Sequence, residues 1–184
     1  MYEVEYKVEV TEPEKQRLTE LFSEKSFVTL SPVRQDDYYI EAKASPLGGY
    51  NTKRYRDQGN KIFFTEKTWE VHAGGKVRRE IENEVTRKEF DAALLKYTDT
   101  IKISKHRQSF TVLFENIPFH IDLDSIKFDH SSGMRYFVEA EVMSQSKEEV
   151  GKIRDIIIRF LRQYLERSDL VEAPGMFAMA LQKL

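Results

Sequence analysis

The 184-residue sequence contains no cysteine. That excludes disulfide scaffolds, cysteine–zinc sites, thiol catalysis and iron–sulfur clusters. Neither sign of charge is in excess: 29 Lys and Arg stand against 31 Asp and Glu, for a net charge of -2. A dedicated nucleic-acid binder would normally be basic, so no nucleic-acid partner is expected. A local anion site stays open, because net charge says nothing about placement. No apolar run approaches the roughly 18 residues of a membrane span, so no membrane partner is expected. The opening stretch MYEVEYKVEV is charged from Glu3 onward, unlike a secretory leader. The four histidines have no i+4 pairing and no cysteine companions, which argues against zinc. Gly74-Gly75 is not followed by Gly-Lys-Ser/Thr and reads as a turn, not a phosphate loop. One soluble, cytoplasmic domain over residues 1–184 is the expectation.

What is present is patterned charge on many short strands. Tyr2, Val4, Tyr6, Val8 and Val10 alternate with Glu3, Glu5, Lys7 and Glu9, a period of two that predicts a strand over Tyr2–Val10. Thr11 and Glu14 form a capping-box pattern opening a first helix with Pro13 in its first turn. Extended residues follow over Ser26–Leu47. Asn51–Asp57 and Lys61–Trp69 read as a hairpin across Gln58-Gly-Asn60. A strand over Val77–Val85 leads to a helix capped by Thr86 and running through Leu95. Further strands are predicted near Ile101–Arg107, Ser109–Glu115, Phe119–Ile126 and Tyr136–Met143. Ser146 and Glu149 suggest a third capping box, for a helix to about Arg167. Pro174 precedes a last short helix, Met176–Leu184. Strands without regular intervening helices imply an α+β fold with a mostly antiparallel sheet.

The ionisable residues fall at i, i+2 spacing, hence on one face of each strand. They are Glu3, Glu5 and Lys7; Arg54 and Arg56; Lys67, with Thr65 beside it; Arg78, Glu80, Glu82 and Glu84; Lys105 and Arg107; Asp122 and Asp124; Glu139 and Glu141, and single strands hold one sign: Arg-x-Arg, Asp-x-Asp and Glu-x-Glu. A solvated face mixes signs, since like charges side by side repel. So many strands with helices stacked outside fit most economically into a barrel, with the charged faces turned inward. A lining of both signs is costly unless something fills it. Carboxylates suit hard cations such as Mg2+ or Mn2+, and Lys and Arg suit phosphate oxygens.

Glu3-Val-Glu5-Tyr-Lys7 is an ExExK signature. Arg54-Tyr-Arg56, Thr65-Glu-Lys67, Arg78-Arg-Glu80-Ile-Glu82, Lys105-His-Arg107, Asp122-Leu-Asp124 and Glu139-Ala-Glu141 follow it in order. Over Tyr2–Met143 the chain therefore resembles the CYTH superfamily, the triphosphate tunnel metalloenzymes. That group includes class IV adenylate cyclases, thiamine triphosphatases and inorganic triphosphatases. The resemblance implies a closed eight-stranded antiparallel β-barrel, a tunnel for triphosphates, with helices packed outside. It implies phosphate-binding roles for Lys7, Arg54, Arg56, Lys67, Arg78, Lys105 and Arg107. Metal-binding roles for Mg2+ or Mn2+ fall to Glu3, Glu5, Asp124, Glu139 and Glu141. Lys7, Glu5 and Glu82 are the expected catalytic residues.

The activity expected is metal-dependent hydrolysis of a triphosphate, inorganic or organic. The alternatives are a class IV cyclase making cyclic AMP and pyrophosphate, a thiamine triphosphatase, or a non-catalytic polyphosphate-binding module. The partner is a small-molecule triphosphate, and a homodimer stays open. Two segments depart from the family pattern, Trp69–Lys76 and Ala173-Pro-Gly-Met-Phe177, both where selectivity would be set. Trp69 or an aromatic near Tyr38 could stack a ring, against the plainer expectation of ordinary packing. Ile101 and Ile103 share parity with Lys105 and Arg107, so a bulge or an exit from the tunnel is expected in that strand.

Overall fold

The alternation of the first ten residues becomes an edge strand, β1 (Tyr2–Val10), with Val4, Tyr6, Val8 and Val10 buried on one side. The computed structural model describes residues 2–26, 28–72, 75–128, 133–146 and 148–181, and for residues 71–78 only the backbone where described. Chain order continues as α1 (Glu12–Lys25), β2 (Val28–Thr29), β3 (Val33–Ala44), β4 (Tyr50–Asp57), β5 (Ile62–His72) and β6 (Gly75–Val85). Then come α2 (Arg87–Lys96), β7 (Ile101–Phe114), β8 (Ile117–Phe128), β9 (Met134–Ser144), α3 (Val150–Leu165) and α4 (Met176–Leu181). One antiparallel sheet carries the strands in the order β1-β9-β8-β7-β3-β4-β5-β6, with β2 added against β7.

The closed barrel expected from the sequence is corrected by this order. The sheet curls into an open, half-barrel form whose edges are β1 and β6, and these are not paired among the described residues. They approach each other across the seam. Both edges present carboxylates inward, Glu3 and Glu5 from β1 and Glu80 and Glu82 from β6. Pairing them would set like charges directly opposite one another, which destabilises a ladder.

Helices cover the outside in two places. α1 and α3 lie over β1, β9, β8 and β7, where Leu18, Phe22, Ile157, Phe160 and Leu161 meet Phe110, Phe119, Ile121 and Val138. Phe160 stacks on Phe119 with ring centroids 4.6 Å apart. α2 covers the other side: Phe90 packs edge-on against both Tyr38 and Tyr55. Tyr38 therefore belongs to the outer packing and cannot stack a ligand inside. A second apolar cluster closes one end of the barrel interior: Ile103, Ile126 and Phe137 from the inner faces meet Met176, Met179 and Ala180 of α4.

This plug explains Ile103. β7 is one 14-residue strand with unbroken register to β3 and β8, so it neither bulges nor leaves the interior. Its inner face passes from the apolar plug to Lys105 and Arg107. The register shift lies instead in β3, between Tyr39 and Glu41. Two tight φ-positive residues, Glu115 and Asn116, turn β7 into β8, matching the twist of a two-residue hairpin.

Both Thr-based capping boxes form, Thr11 with Glu14 and Thr86 with Glu89. The third does not. α3 begins at Val150 with Glu149 at its N-cap and no side-chain cap. Ser146 instead bonds Ser144 and the neighbouring Glu148, holding a turn ahead of the helix. Of the turn expected at Gly74-Gly75, Gly74 lies outside the described residues, and Gly75 opens β6. Removing a formed cap gives a first measurable consequence: Thr11→Ala is expected to lower stability by about 1 kcal/mol. Urea unfolding would read this as a lower midpoint at unchanged slope, and an unchanged midpoint would show that the cap contributes nothing.

Candidate active site

The inner faces of β1, β9, β7, β4, β5 and β6 surround one cavity of about 780 Å3. Lys7, Arg54, Arg56, Lys67, Lys105 and Arg107 line it, together with Glu3, Glu5, Glu80, Glu82, Glu139 and Glu141. The strand periodicity that separated these residues from the apolar positions thus brings them to one place. Of the remaining expected site residues, Asp124 lies behind the lining and is 1% exposed. The backbone of Arg78 pairs with Trp69 in the β5–β6 ladder, and its side chain lies outside the description.

Each cation is held by a carboxylate. Lys7 pairs with Glu139 at 2.5 Å, and Lys67 pairs with Glu80. Arg107 grips Asp124 through Nε at 2.7 Å and Nη2 at 2.6 Å, and it also pairs with Asp122. Asp122 accepts a bond from the Ser109 hydroxyl at 2.5 Å and lies 3.2 Å from His120 Nε2. Glu82 accepts from the Thr65 hydroxyl at 3.0 Å. Burial in this arrangement is possible because the charges are paired.

The sequence reading missed Asp37, the hub of the network. It accepts from Arg54 Nη1 at 3.0 Å and from Arg56 Nε and Nη2 at 2.7 and 3.2 Å, and Lys105 Nζ lies 4.0 Å away. Burial pushes the Asp37 carboxyl up, but Arg54, Arg56 and Lys105 outweigh that and hold it well below the usual range. Its one signal was parity: Gln35, Asp37 and Tyr39 alternate, and all three are buried. Arg154 of α3 also lines the cavity, and it pairs with Glu172 at 2.5 Å.

Lys105 feels the crowding of positive charge most. Burial, then Arg107 and Arg56, pull its ammonium well below the usual lysine value, against the opposing pull of Asp124 and Asp37. Arg54 Nε is buried without a hydrogen-bond partner among the described residues. A buried donor left open beside a lysine that is short of negative charge is an environment that favours an anion.

The opposite imbalance lies between β1 and β9. Glu5 stands opposite Glu141 in register, and Lys7 opposite Glu139. Burial, then the Glu141 charge, raises Glu3 to about 8. Burial, then the Glu139 charge, raises Glu141 to about 7. Oxygen donors with an excess of negative charge fit a hard divalent cation. Among the described residues no three acidic or histidine side chains already converge into a ligand cluster.

Comparison with known proteins bears on the same residues. The CYTH domain family profile matches residues 1–172. No curated protein sequence matches significantly. Among solved structures, the PH1819 protein of Pyrococcus horikoshii superposes with a TM-score of 0.69 at 19% identity over 100% of both chains. The PH1012 protein of the same organism gives 0.66 at 23% identity, over 98% of this chain and 99% of its own. A candidate adenylyl cyclase of Hippeastrum, HpAC1, described as showing a dominant triphosphatase activity, gives 0.63 at 14% identity. That match covers 98% of this chain and 95% of HpAC1. At these identities the likeness is one of fold. No helix among the described residues is long and apolar enough to cross a membrane.

Proposed function

The chain belongs to the CYTH domain family, and we propose that it is a divalent-metal-dependent triphosphatase acting in this cavity. The observation that carries the reading is the convergence of Lys7, Arg54, Arg56, Lys67, Lys105 and Arg107 with Glu3, Glu5, Glu80, Glu82, Glu139 and Glu141 on one lining. A triphosphate carries about four negative charges near neutrality, a load in proportion to those cations. The described activity of HpAC1 is consistent with this assignment.

Lys7, Arg54, Arg56, Lys67, Lys105 and Arg107 hold the phosphate chain. Their charges are fixed by the carboxylates behind them, so little reorganisation is needed when charge moves onto the departing phosphate. Water attacks the terminal phosphorus; the new P–O bond forms as the bridging P–O bond breaks, and orthophosphate leaves. Lys7 neutralises charge on the phosphoryl group being transferred. Glu82, fixed by Thr65, takes the proton from the attacking water, and Glu5 lies beside Lys7 at the reacting end. Glu3, Glu5, Glu139 and Glu141, with Asp124, are the residues that would hold Mg2+ or Mn2+, which would supply positive charge to the phosphates and lower the pKa of water.

The deciding assay offers tripolyphosphate, ATP and thiamine triphosphate separately with Mg2+ or Mn2+, and measures phosphate and cyclic AMP with and without EDTA. Phosphate release abolished by EDTA is expected. Cyclic AMP with pyrophosphate would replace hydrolysis by cyclisation, and turnover of none of the three would overturn the enzyme reading.

A further inference from the structure

The open edges of the sheet are protected unequally. β6 carries Arg79, Glu82 and Glu84, all exposed. Charges of this kind keep an edge from pairing with another chain. β1 is partly covered by its own chain: Glu172 bridges to Val8, and the Ala173 N–H donates to the Lys7 carbonyl at 2.8 Å. β2 has neither protection. Ser26–Val33 holds no ionisable residue in a chain that is 33% charged, and Val28 through Pro32 are exposed. Among the described residues β2 pairs with β7 on one side and with no strand on the other.

The exposed side chains there form one apolar patch. Val28 is 42% exposed, Leu30 51% and Leu113 of β7 60%. Val28 stands opposite Thr111 in register, and Leu113 is the next residue on that face of β7. Diagonal neighbours of this kind are within reach of long side chains. The backbone is directed to the same edge. The Leu30 N–H donates to the Ser109 carbonyl of β7 at 3.0 Å. Successive residues of a strand aim their N–H and C=O groups to opposite sides. Those of Thr29 therefore point away from β7, toward the open edge.

We propose that β2 is the interface between two copies of this chain, joined edge to edge and antiparallel about a two-fold axis at Thr29. The outward groups of Thr29 bond those of the partner's Thr29. That register sets Val28 opposite Leu30 of the partner subunit and Leu30 opposite the partner's Val28, so the exposed apolar residues of both copies cover one another. The flanking charges agree with it. Antiparallel pairing brings the chain that follows β2, where the Arg34 side chain is 75% exposed, beside the end of α1 in the other copy. At that end Glu24 is exposed, Lys25 is turned onto the Tyr164 ring at 5.8 Å, and the helix C-terminus carries partial negative charge. The contact uses the same edge of both copies, so association closes at two. Two strands this short cover less than the roughly 800 Å2 per partner of a stable complex, so the dimer is weak, with a dissociation constant on the order of 10 μM. None of Val28, Thr29, Leu30 and Leu113 lines the cavity, and the proposal stands apart from the triphosphatase reading.

Sedimentation equilibrium of the full chain, over about 1 to 100 μM, measures the association directly. A monomer–dimer equilibrium is expected. Thr29→Pro removes the outward N–H and leaves the bonds to β7 in place, so it is expected to raise the dissociation constant about tenfold. Leu30→Lys puts a charge into the apolar row and is expected to raise it by about as much. Glu24→Arg and Arg34→Glu should each weaken the dimer, and the double variant should recover it, a rescue that loss of fold could not produce. Circular dichroism and the urea midpoint verify that each variant is folded. Monomer alone across the whole range, association that continues past two, or a dissociation constant unchanged in both Thr29→Pro and Leu30→Lys would overturn the proposal.

Discussion

Replacing Asp37 by alanine is expected to destabilise the protein by about 3–5 kcal/mol, the usual cost of removing one partner from a buried ionic network. The carboxylate is 1% exposed and carries three bonds from two guanidinium groups. Without it Arg54, Arg56 and Lys105 face one another at the cavity wall, and among the described residues Glu80 and Asp124 are the carboxylates left within 4.0 Å of any of them. Asp37→Asn keeps part of the hydrogen bonding and loses the charge, so its loss should be smaller. A polyanion supplies the missing charge from the cavity side. Tripolyphosphate should therefore raise the unfolding midpoint of Asp37→Ala by more than it raises that of the wild type, through preferential binding to the folded state. Denaturant unfolding with and without tripolyphosphate measures both effects. A loss below about 1 kcal/mol would show that the two arginines do not depend on Asp37.

Asp37 also marks where sequence reading stopped. The lining strands were legible wherever one face was uniformly charged and the other uniformly apolar, as in Glu3-Glu5-Lys7 of β1 and Glu139-Glu141 of β9. Burial differs on their two faces, so the period of two survives. β3 carries Asp36 and Asp37 side by side, one facing outward to Lys102 and one inward to the arginines. With acid on both faces there is no alternation of polarity to read. β7 was divided at Gln108 for a related reason. Its outer face is polar at Lys102, Ser104, His106 and Gln108, and it becomes apolar at Phe110, Val112 and Phe114, where α1 and α3 cover it. Its inner face changes in the opposite sense, from Ile103 at the α4 plug to Lys105 and Arg107. Helices that cover only part of a curled sheet break the pattern of a long strand into apparent pieces. Closure of the barrel was not legible at all. It depends on whether two edges distant in sequence meet in register, and no local pattern encodes that.

The largest catalytic effects should come from the cations at the two ends of the network. Arg56→Ala and Lys7→Ala are each expected to lower kcat/KM at least tenfold. A charge-assisted contact contributes about 1.5–3 kcal/mol, and about 1.4 kcal/mol is already a factor of ten in rate. Arg56 is the better test of phosphate binding. Its loss leaves Asp37 still bonded to Arg54 and near Lys105, so the fold keeps its buried pairing. Lys7 tests the reacting end, where its loss leaves Glu139 with Arg107 at 3.7 Å. Here Glu139 and Glu5 lose the ammonium beside them, which in the proposed reading offsets the negative charge developing on phosphate. The lost rate should therefore fall mainly on kcat for Lys7→Ala, because charge moves in the transition state. It should fall more evenly on KM for Arg56→Ala, because the proposed role of Arg56 is to hold phosphates that do not react. Steady-state kinetics on whichever triphosphate is turned over, with circular dichroism to confirm folding, separates the two patterns. Both variants within twofold of wild type would remove the cavity as the site of hydrolysis, however the residues are arranged around it.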